Sequence, residues 1–382
     1  MKLKWELAGL NLIRVIGRHI FIVANTVWHL GGPTIVARFD LDGRLDSDFG
    51  ASGIVLLDDA LSFGATFKDL VELPDGDFML VGGFYDECGD CDIVDEWPVA
   101  VRLNPDGSRD RQFKSYEGYE ETGPVQRHFA DLMSVTPVSN GKLLITGPWN
   151  REILRLKRNG RIDRSFGRRG AAAIPCTGAT CTARILARQP SGRTLVTAGS
   201  ENGFIRVAGF DESGKLDATF GLLGIATIDS GLTSASQPYL GIPRRDGGVS
   251  LIGNFSGPID GIQTRDKYQL ALSRDGVPIT PASPSAGLIF RSLGLGESFD
   301  ERAATAVSEN AVAFDSKRSR DRSILLTSIG GGADLGLTEK IVFQPGKGHP
   351  QTRMALTKRY LFLAQIGSTL HTRLVIERFV LR

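Results

Sequence analysis

Four cysteines form two close pairs whose spacing permits redox or metal chemistry. The pairs are Cys88 with Cys91, in CGDC, and Cys176 with Cys181, in CTGATC. Each pair suits a local disulfide in an oxidising compartment, which is the interpretation we adopt. Four free thiols, or one zinc site built from all four thiolates, are the alternatives. The acidic neighbours of Cys88 raise a thiol pKa, so this sequence does not favour a reactive cysteine nucleophile.

A second set of residues suits binding: three tryptophans, two histidines and three basic residues in segments without a regular pattern. Aromatic and arginine side chains dominate the energetics of protein interfaces. The candidate binding residues are Trp28, His29, Trp97, Trp149, Arg151, Lys317, Arg318 and His371. A metal site from His29, His349 and His371 is an alternative, but no short ligand spacing joins these histidines. We therefore predict no metal ligands among them.

Two charged segments lie among these irregular stretches. Residues 85–96 contain six carboxylates and form the longest predicted loop, and the stretch SKRSRDR from Ser316 forms a basic loop. An acidic patch suits a basic partner or a cation, and a basic patch suits an acidic partner or phosphate. Solvated surface charge is the alternative for both. Together they predict a polarised docking face.

The sequence carries no recognisable catalytic signature. It contains no G-x-S-x-G elbow, P-loop, H-E-x-x-H motif or dinucleotide fingerprint. Carboxylates at strand ends are the remaining candidates for metal-assisted chemistry, namely Asp69, Glu120, Glu121 and Asp131. We predict a protein without a cofactor and without catalysis, with a calcium or zinc hydrolase or lactonase as the alternative.

The elements that position these residues follow from a repeated turn. Glycine accounts for 46 of 382 residues, and much of this excess falls in one motif. Its copies, numbered one to five here, read DGRLDSDFG, DGSRDRQFK, NGRIDRSFG, SGKLDATFG and DGVPITPAS, over residues 42–50, 106–114, 159–167, 213–221 and 275–283. Asp-Gly, Asn-Gly and Ser-Gly between apolar runs predict tight turns between strands.

A second series of turn glycines alternates with the first and defines the period. It includes Gly76, Gly141, Gly192 and Gly247, and weaker versions bring the series to seven. The period is about 57 residues with four strands in each, which is typical of a β-propeller. We therefore predict an all-β, seven-bladed β-propeller over residues 1–382, with four-stranded blades. Residues 2–7 supply the strand that closes the last blade.

The motif DG-x-L-D-x-x-FG resembles the delta-60 repeat of bacterial propeller-like proteins. The resemblance rests on the copies at residues 42–53, 159–170 and 213–224. It implies a propeller, often in exported or surface-associated bacterial proteins, and it implies no shared activity.

The repeated residues of the motif have a structural explanation. Asp46, Asp110, Asp163 and Asp217 are expected to accept backbone N–H groups, and Phe49, Phe113, Phe166 and Phe220 to be buried between blades. Calcium at Asp40, Asp42 and Asp46 is the alternative for copy one. Because the turns share one face, binding is expected on the opposite face, where the connections are irregular.

Overall charge excludes some classes of partner. The chain has 45 basic and 43 acidic residues, a net charge of +2, so no general basic field attracts nucleic acid. No window reaches the length of a membrane span. We expect a protein partner or a larger assembly. The cysteine pairs favour a periplasmic or cell-surface protein whose signal is absent from this chain, although a cytoplasmic protein is the alternative.

Overall fold

The computed structural model describes the chain as antiparallel β-sheets. The described residues are 7–26, 32–58, 65–87, 94–114, 134–147, 151–176, 181–229, 238–259, 262–279, 304–308, 311–318, 321–328, 337–343, 351–356, 360–366 and 374–380. The chain divides into two compact units. Unit one comprises Met1–Arg164 with Pro345–Arg382, and unit two comprises Ser165–Gln344.

Nearly all regular structure consists of short strands. The strands of the N-terminal part of unit one are β1 Leu7–Ile16, β2 His19–Thr26, β3 Thr34–Asp40, β4 Ile54–Leu57, β5 Thr66–Glu72, β6 Phe78–Glu87, β7 Val94–Leu103, β8 Ser134–Pro137, β9 Leu143–Thr146 and β10 Glu152–Leu156. A short 3-10 turn, Ser139–Gly141, joins β8 to β9.

Unit two continues the same pattern. Its strands are β11 Ala171–Ala173, β12 Ile185–Arg188, β13 Thr194–Glu201, β14 Phe204–Phe210, β15 Ile225–Asp229, β16 Leu240–Pro243, β17 Val249–Ile259, β18 Ile262–Leu272, β19 Ala304–Ser308, β20 Ala311–Arg318, β21 Asp321–Ser328 and β22 Leu337–Phe343. The chain then returns to unit one with β23 Gln351–Leu356, β24 Tyr360–Ile366 and β25 Leu374–Val380.

Each sheet is a meander in which neighbours in sequence pair with each other. In unit one the sheets include β1 to β4, β5 to β7, β8 to β10, and β23 to β25; in unit two they are β12 to β15, β16 to β18, and β19 to β22. The glycine turns produce this order. At copy one the Gly43 amide donates to Asp40 at 3.1 Å, and Gly43 has a φ of +80°, which glycine reaches without a Cβ clash.

The sheet β1 to β4 is buried on both faces, which explains its continuous apolar strands. On one face Phe21, Val23 and Val36 pack in a cluster with Phe67 and Leu80 of β5 and β6. On the other face Ile20, Ile22 and Ile35 pack with Phe362 and Ala364 of β24. Successive residues of a strand point to opposite faces, so one strand serves both clusters. The first and last sheets of the chain are therefore packed neighbours.

Unit two is built in the same way around a cluster between two of its sheets. Leu195, Ile205 and Val207 pack there with Leu251 and Tyr268. Burial raises the pKa of Tyr268 well above its ordinary value, so this phenol stays neutral within the core.

Two sequence predictions about loops were wrong. Both ends of the acidic segment 85–96 are strand, because β6 runs to Glu87 and β7 starts at Val94, and residues 88–93 lie outside the described residues. The basic segment is the end of a second hairpin, since Lys317 and Arg318 belong to β20 and Arg322 to β21. Both hairpins continue past the point where the apolar pattern stops, because backbone pairing does not require apolar side chains.

The prediction of four strands in every blade is met in part. β4 and β15 follow their turns as predicted, whereas the described part of the stretch around Phe113, residues 111–114, forms a turn and no strand. The sheet β23 to β25 has three strands, and β25 coincides with the predicted third strand of the last repeat. Residues 2–6, predicted to supply most of its fourth strand, lie outside the described residues.

Candidate functional site

The repeated carboxylates each contact a buried arginine. Arg38 Nε donates to Asp46 at 2.7 Å, and Arg155 Nε donates to Asp163 at 2.8 Å. The corresponding contact of Asp110 is longer, 3.5 Å from Nε of Arg102. These arginines are at most 8% exposed, so their charges need carboxylate partners. In copy four the arginine is Arg193, which donates to Asp217 at 2.6 Å and is 7% exposed.

Three of these arginines extend to the next copy of the turn. Nη1 of Arg38 donates to the Pro105 carbonyl at 2.7 Å, and Nη1 of Arg102 donates to the Arg158 carbonyl at 2.8 Å. In unit two, Nη1 of Arg193 reaches the Arg274 carbonyl at 2.7 Å. Each guanidinium thus joins the carboxylate of its own copy to the backbone of the following one.

The motif phenylalanines pack against the glycine of the next turn. Phe49 and Phe220 are 0% exposed, Phe166 is 2% exposed and Phe113 is 6% exposed, which confirms their predicted burial. A Cβ added at Gly107 would lie 2.9 Å from the Phe49 ring. A glycine is therefore required where the following turn meets this ring.

The predicted backbone contacts of the motif aspartates are present. The amides of Asp48, Gln112 and Thr219 donate to Asp46, Asp110 and Asp217 at 3.1, 2.8 and 3.0 Å. The three carboxylates considered for calcium also have protein donors. Asp40 accepts two turn amides, Asp42 accepts Arg378 Nη1, and Asp46 accepts Arg38. These contacts agree with the structural explanation of the turn.

Hydrogen bonding stabilises the charged forms of these aspartates. A hydrogen bond from the Thr219 hydroxyl, together with the Arg193 guanidinium, lowers the pKa of Asp217 to about 2. Burial raises the pKa of Asp46, but the Asp48 amide and the Arg38 guanidinium outweigh it, so the net pKa is lowered. Low pKa values suit permanent anions in ion pairs and not general acids.

The first strands of the sheets in unit one lie side by side, and Asp69 connects three of them. β23 lies next to β1, β1 next to β5, and β5 next to β8. The Asp69 carboxylate on β5 contacts Arg14 of β1 at 3.2 Å and accepts the Val135 amide of β8 at 3.1 Å. Asp69 was a catalytic candidate, and its contacts are those of a strand connector. Glu120, Glu121 and Asp131 lie outside the described residues.

The two charged hairpins place residues of like charge opposite each other. In the β6–β7 register, Asp86 pairs with Asp95. In the β20–β21 register, Lys317 pairs with Arg322, whereas the next pair, Arg318 with Asp321, joins opposite charges. Like charges directly opposite in a sheet are destabilising. These pairs therefore do not serve strand pairing.

The structure describes only part of the predicted binding set. Trp97 lies in β7, and Arg151 is exposed just before β10. Four members lie outside the described residues: Trp28, His29, Trp149 and His371. The three histidines of the alternative metal site are outside them too. No group of three or more metal-ligating side chains occurs in the part of the chain that the structure describes.

A disulfide joins Cys176 to Cys181, as our preferred interpretation predicts for this pair. Cys88 and Cys91 lie outside the described residues. Among the residues that are described, no helix has the length and apolarity required to cross a membrane.

Sequence analysis missed the buried arginines, although a signal was present. Arg38, Arg102 and Arg155 each stand five residues before a turn glycine. In copy four Gly209 takes that position. The spacing of arginine and glycine therefore does not identify the arginine of copy four. There Arg193, just before β13, contacts the motif aspartate Asp217.

Comparison with solved structures identifies the fold class. No family model and no curated protein matches this chain. Among solved structures it is similar to a streptogramin B lyase, with 12% identity and a TM-score of 0.50 over 100% of this chain and 96% of that one. It is also similar to the β-propeller domain of the Trilobed protease from Pyrococcus furiosus, with 9% identity and a TM-score of 0.50 over 100% and 97%. The chain has an all-β fold of the β-propeller kind.

A third similar structure is the polysaccharide lyase Uly1, with 12% identity and a TM-score of 0.53 over 99% of this chain and 92% of that one. At these identities the similarity concerns the fold alone. In a β-propeller the connections between strands form the surfaces available for ligands. The charged hairpins belong to these connections, whereas the arginine and aspartate contacts belong to the scaffold.

Proposed function

We propose that this protein is a non-catalytic recognition or scaffold module that binds a protein partner, or a larger assembly, through its irregular connections. The observation that carries the proposal is the register of the two charged hairpins. Asp86 is in register with Asp95, and Lys317 with Arg322, while Arg318 is in register with Asp321. Like charges directly opposite each other in a sheet cost about 0.2 to 1 kcal/mol per pair. A complementary charge on a partner would offset that cost, so the acidic hairpin suits a basic surface and the basic hairpin an acidic one.

The scaffold of this module is proposed to be one closed, seven-bladed β-propeller built on delta-60 repeats. Support comes from unit one, where the last sheet packs on the first sheet of the chain. Arg353 Nε also donates to the Asn11 carbonyl at 3.1 Å, which links β23 to β1. Residues 2–6 would add the fourth strand to β25, since Leu7 belongs to β1 and pairs with Thr26 of β2. Deletion of residues 1–6 is therefore expected to leave an open edge and to promote aggregation on heating.

The module is proposed to work outside the reducing cytosol. The disulfide between Cys176 and Cys181 supports this, because such bonds persist in oxidising compartments. Intact mass after alkylation without reduction tests it. We expect no label on Cys176 and Cys181 in protein isolated from its native compartment, and labelling of both would contradict the proposal.

The binding proposal is tested by neutralising each hairpin in the full chain. One variant carries Asp86→Asn, Asp95→Asn and Glu96→Gln, and the other carries Lys317→Gln, Arg318→Gln and Arg322→Gln. Immobilised wild type and variants are compared by quantitative mass spectrometry of the proteins they retain. We expect at least one partner whose recovery falls tenfold or more with a hairpin variant, without loss of bait stability.

The matched control removes two charges from the turn edge, with Arg44→Gln and Asp48→Asn, which are both exposed. Partner recovery is expected to be unchanged in this control. Equal recovery with wild type and both hairpin variants would contradict the proposal. Stoichiometric calcium or zinc together with metal-dependent hydrolysis of a lactone or ester would replace it with the hydrolase alternative.

A further inference from the structure

Copy three of the turn differs from the others in the charge of its exposed positions. Four positions of the turn are exposed in copy three and carry the difference: relative to the turn glycine, they are the third and second before it and the first and fourth after it. Copy three has basic residues at all four: Lys157, Arg158, Arg161 and Arg164. Copies one, two and four have one basic residue each in these positions: Arg44, Arg111 and Lys215. The motif aspartate and the buried phenylalanine, in contrast, are present in all four copies.

The basic residues of copy three are held together at one turn of unit one. The Lys157 amide donates to the Arg161 carbonyl at 2.7 Å, so these two residues face each other across the turn. The Lys114 amide donates to the Asn159 carbonyl at 2.9 Å, which brings a fifth exposed cation to the same place. We call Lys114, Lys157, Arg158, Arg161 and Arg164 the basic turn surface.

The nearby carboxylates do not neutralise this surface. Asp163 is 3% exposed, and its carboxylate contacts Arg155 and Lys142, both at 2.8 Å. Asp75 contacts Arg158 at 3.0 Å but also the buried Arg102 at 2.6 Å. The positive charge at the turn therefore exceeds the negative charge available to it.

Lys157 also replaces a residue that stabilises the turn in other copies. In copy one the Asp40 carboxylate accepts the amides of Asp42 and Arg44, each at 2.9 Å. In copy four the Asp211 carboxylate accepts the amides of Ser213 and Lys215, again at 2.9 Å. A lysine has no acceptor and cannot make these bonds. Turn stability thus does not account for Lys157, which points to a role of its charge outside the fold.

The chemistry of the surface selects the ligand. Arginine binds carboxylate and sulfate groups with two parallel hydrogen bonds. The surface is an exposed turn and not a cavity, which suits an extended polymer better than a small molecule. The phenylalanines of copies two and three, Phe113 and Phe166, are buried in the scaffold. Stacking on exposed aromatic rings, which single-stranded nucleic acids use, therefore has no support from the motif.

We propose that the basic turn surface binds an acidic polysaccharide that carries carboxylate or sulfate groups. The disulfide supports this class of polyanion, because it indicates a compartment outside the cytosol, where acidic polysaccharides are found. The basic turn surface shares no residue with the charged hairpins, so it adds a second ligand to the recognition role. Its electrostatic part is expected to weaken as salt screens the charges.

The test measures binding of the full chain to a sulfated polysaccharide, heparin, and a carboxylated one, polygalacturonate, over a range of salt concentrations. The variant carries Lys157→Gln, Arg161→Gln and Arg164→Gln. The control removes three other exposed cations with Arg18→Gln, Arg44→Gln and Lys215→Gln. We expect the variant to bind at least one polymer ten or more times more weakly, with a flatter salt dependence, while the control binds as wild type does.

Neutral dextran, a single-stranded oligonucleotide and polyglutamate are the comparison ligands. An equal loss of affinity in the control would overturn the proposal, because net charge alone would then explain binding. Absence of binding to both acidic polysaccharides at 0.15 M salt, the physiological ionic strength, would overturn it too. Tighter binding of the oligonucleotide or of polyglutamate would assign the surface to nucleic acid or to an acidic protein. Thermal unfolding of the variant is expected to match wild type.

Discussion

Copies one and four of the turn use the same ion pair but take its arginine from different strands. In copy one, Arg38 on β3 contacts Asp46 at 2.7 Å. In copy four, Arg193 lies just before β13 and contacts Asp217 at 2.6 Å, while Gly209 of β14 stands where Arg38 would be. The scaffold therefore requires a guanidinium group next to the motif aspartate, and either of two positions in the chain can supply it.

The glycine in copy four makes this exchange possible. A Cβ at Gly209 would lie 2.8 Å from the Phe220 ring and 3.0 Å from Cδ of Arg193. The guanidinium of Arg193 lies 5.3 Å from the centre of the Phe220 ring, and that of Arg38 lies 4.5 Å from the centre of the Phe49 ring. Both copies thus combine a cation, a carboxylate and an aromatic ring.

Copy five lacks the arginine, the aspartate and the phenylalanine of the other copies. Ile279 stands where the motif aspartate would be, and Ala271 and Gly248 take the two positions that carry the arginines elsewhere. The turn still closes, with the Gly276 amide donating to Ser273 at 3.1 Å. Loss of both charges together is tolerable because no unpaired buried ion remains, whereas loss of one partner is costly. The arginine and the aspartate act as a unit.

The largest effect is expected from breaking this unit in copy four. Arg193→Asp leaves two carboxylates together and is expected to lower the free energy of unfolding by about 3 to 5 kcal/mol. Adding Gly209→Arg recreates the arrangement of copy two, in which Arg102 contacts Asp77 of the neighbouring strand at 2.7 Å. The new Cβ must displace the Phe220 ring, so the double variant is expected to recover only about 1 kcal/mol.

Denaturant unfolding of wild type, Arg193→Asp, Gly209→Arg and the double variant checks this prediction. Lys215→Asp makes the same change of charge at an exposed position and is expected to cost about 1 kcal/mol or less. Strictly additive effects of Arg193→Asp and Gly209→Arg would show that the arginine cannot be supplied from either strand.

Lowering the pH is expected to have a smaller effect on the free energy of unfolding. Because the pKa of Asp217 is lowered to about 2 in the folded protein, the unfolded chain binds more protons at moderately acidic pH. The contribution of Asp217 is therefore present above pH about 4 and is lost as the pH falls towards 2, a change of about 1 to 2 kcal/mol in this partly exposed setting.

Unfolding of wild type and Asp217→Asn between pH 5 and pH 2 measures this contribution. The difference in stability between the two proteins is expected to shrink as the pH falls. A constant difference over this range would mean that the charge of Asp217 does not stabilise the fold.

The smallest effect concerns an exposed position of the same turn. Ser52, Arg169 and Leu223 occupy it in copies one, three and four, each with positive φ, and Leu223 has a φ of +53° while 74% exposed. Leu223→Asn is expected to raise the free energy of unfolding by about 0.5 to 1 kcal/mol, since asparagine adopts this conformation more easily.

Leu222→Asn is the matched control, because Leu222 is 80% exposed and is not among the residues with positive φ. Its stability is expected to equal that of wild type in the same denaturant experiment. An equal gain in both variants would attribute the effect to the loss of exposed apolar surface and not to the backbone.

Much of the scaffold could be predicted because its signals are local. The turn glycines, the strands around them and the burial of Phe49 and Phe220 follow from short patterns of turn residues and apolar residues. The charged hairpins were predicted as loops, because the ends of β6 and β20 carry polar residues that have no apolar alternation. Pairing there depends on the partner strand.

The sequence by itself determined the β class, the repeated turns and the close pairing of Cys176 with Cys181, since each depends on residues near each other in the chain. Only the tertiary structure decided which arginine meets which aspartate, because Arg193 and Asp217 are distant in sequence and adjacent only once β13 and β14 have paired. The tertiary structure also decided which charged side chains of copy three form a buried ion pair and which remain exposed. The aspartate of copy three is buried in an ion pair, and the surrounding basic residues are left exposed.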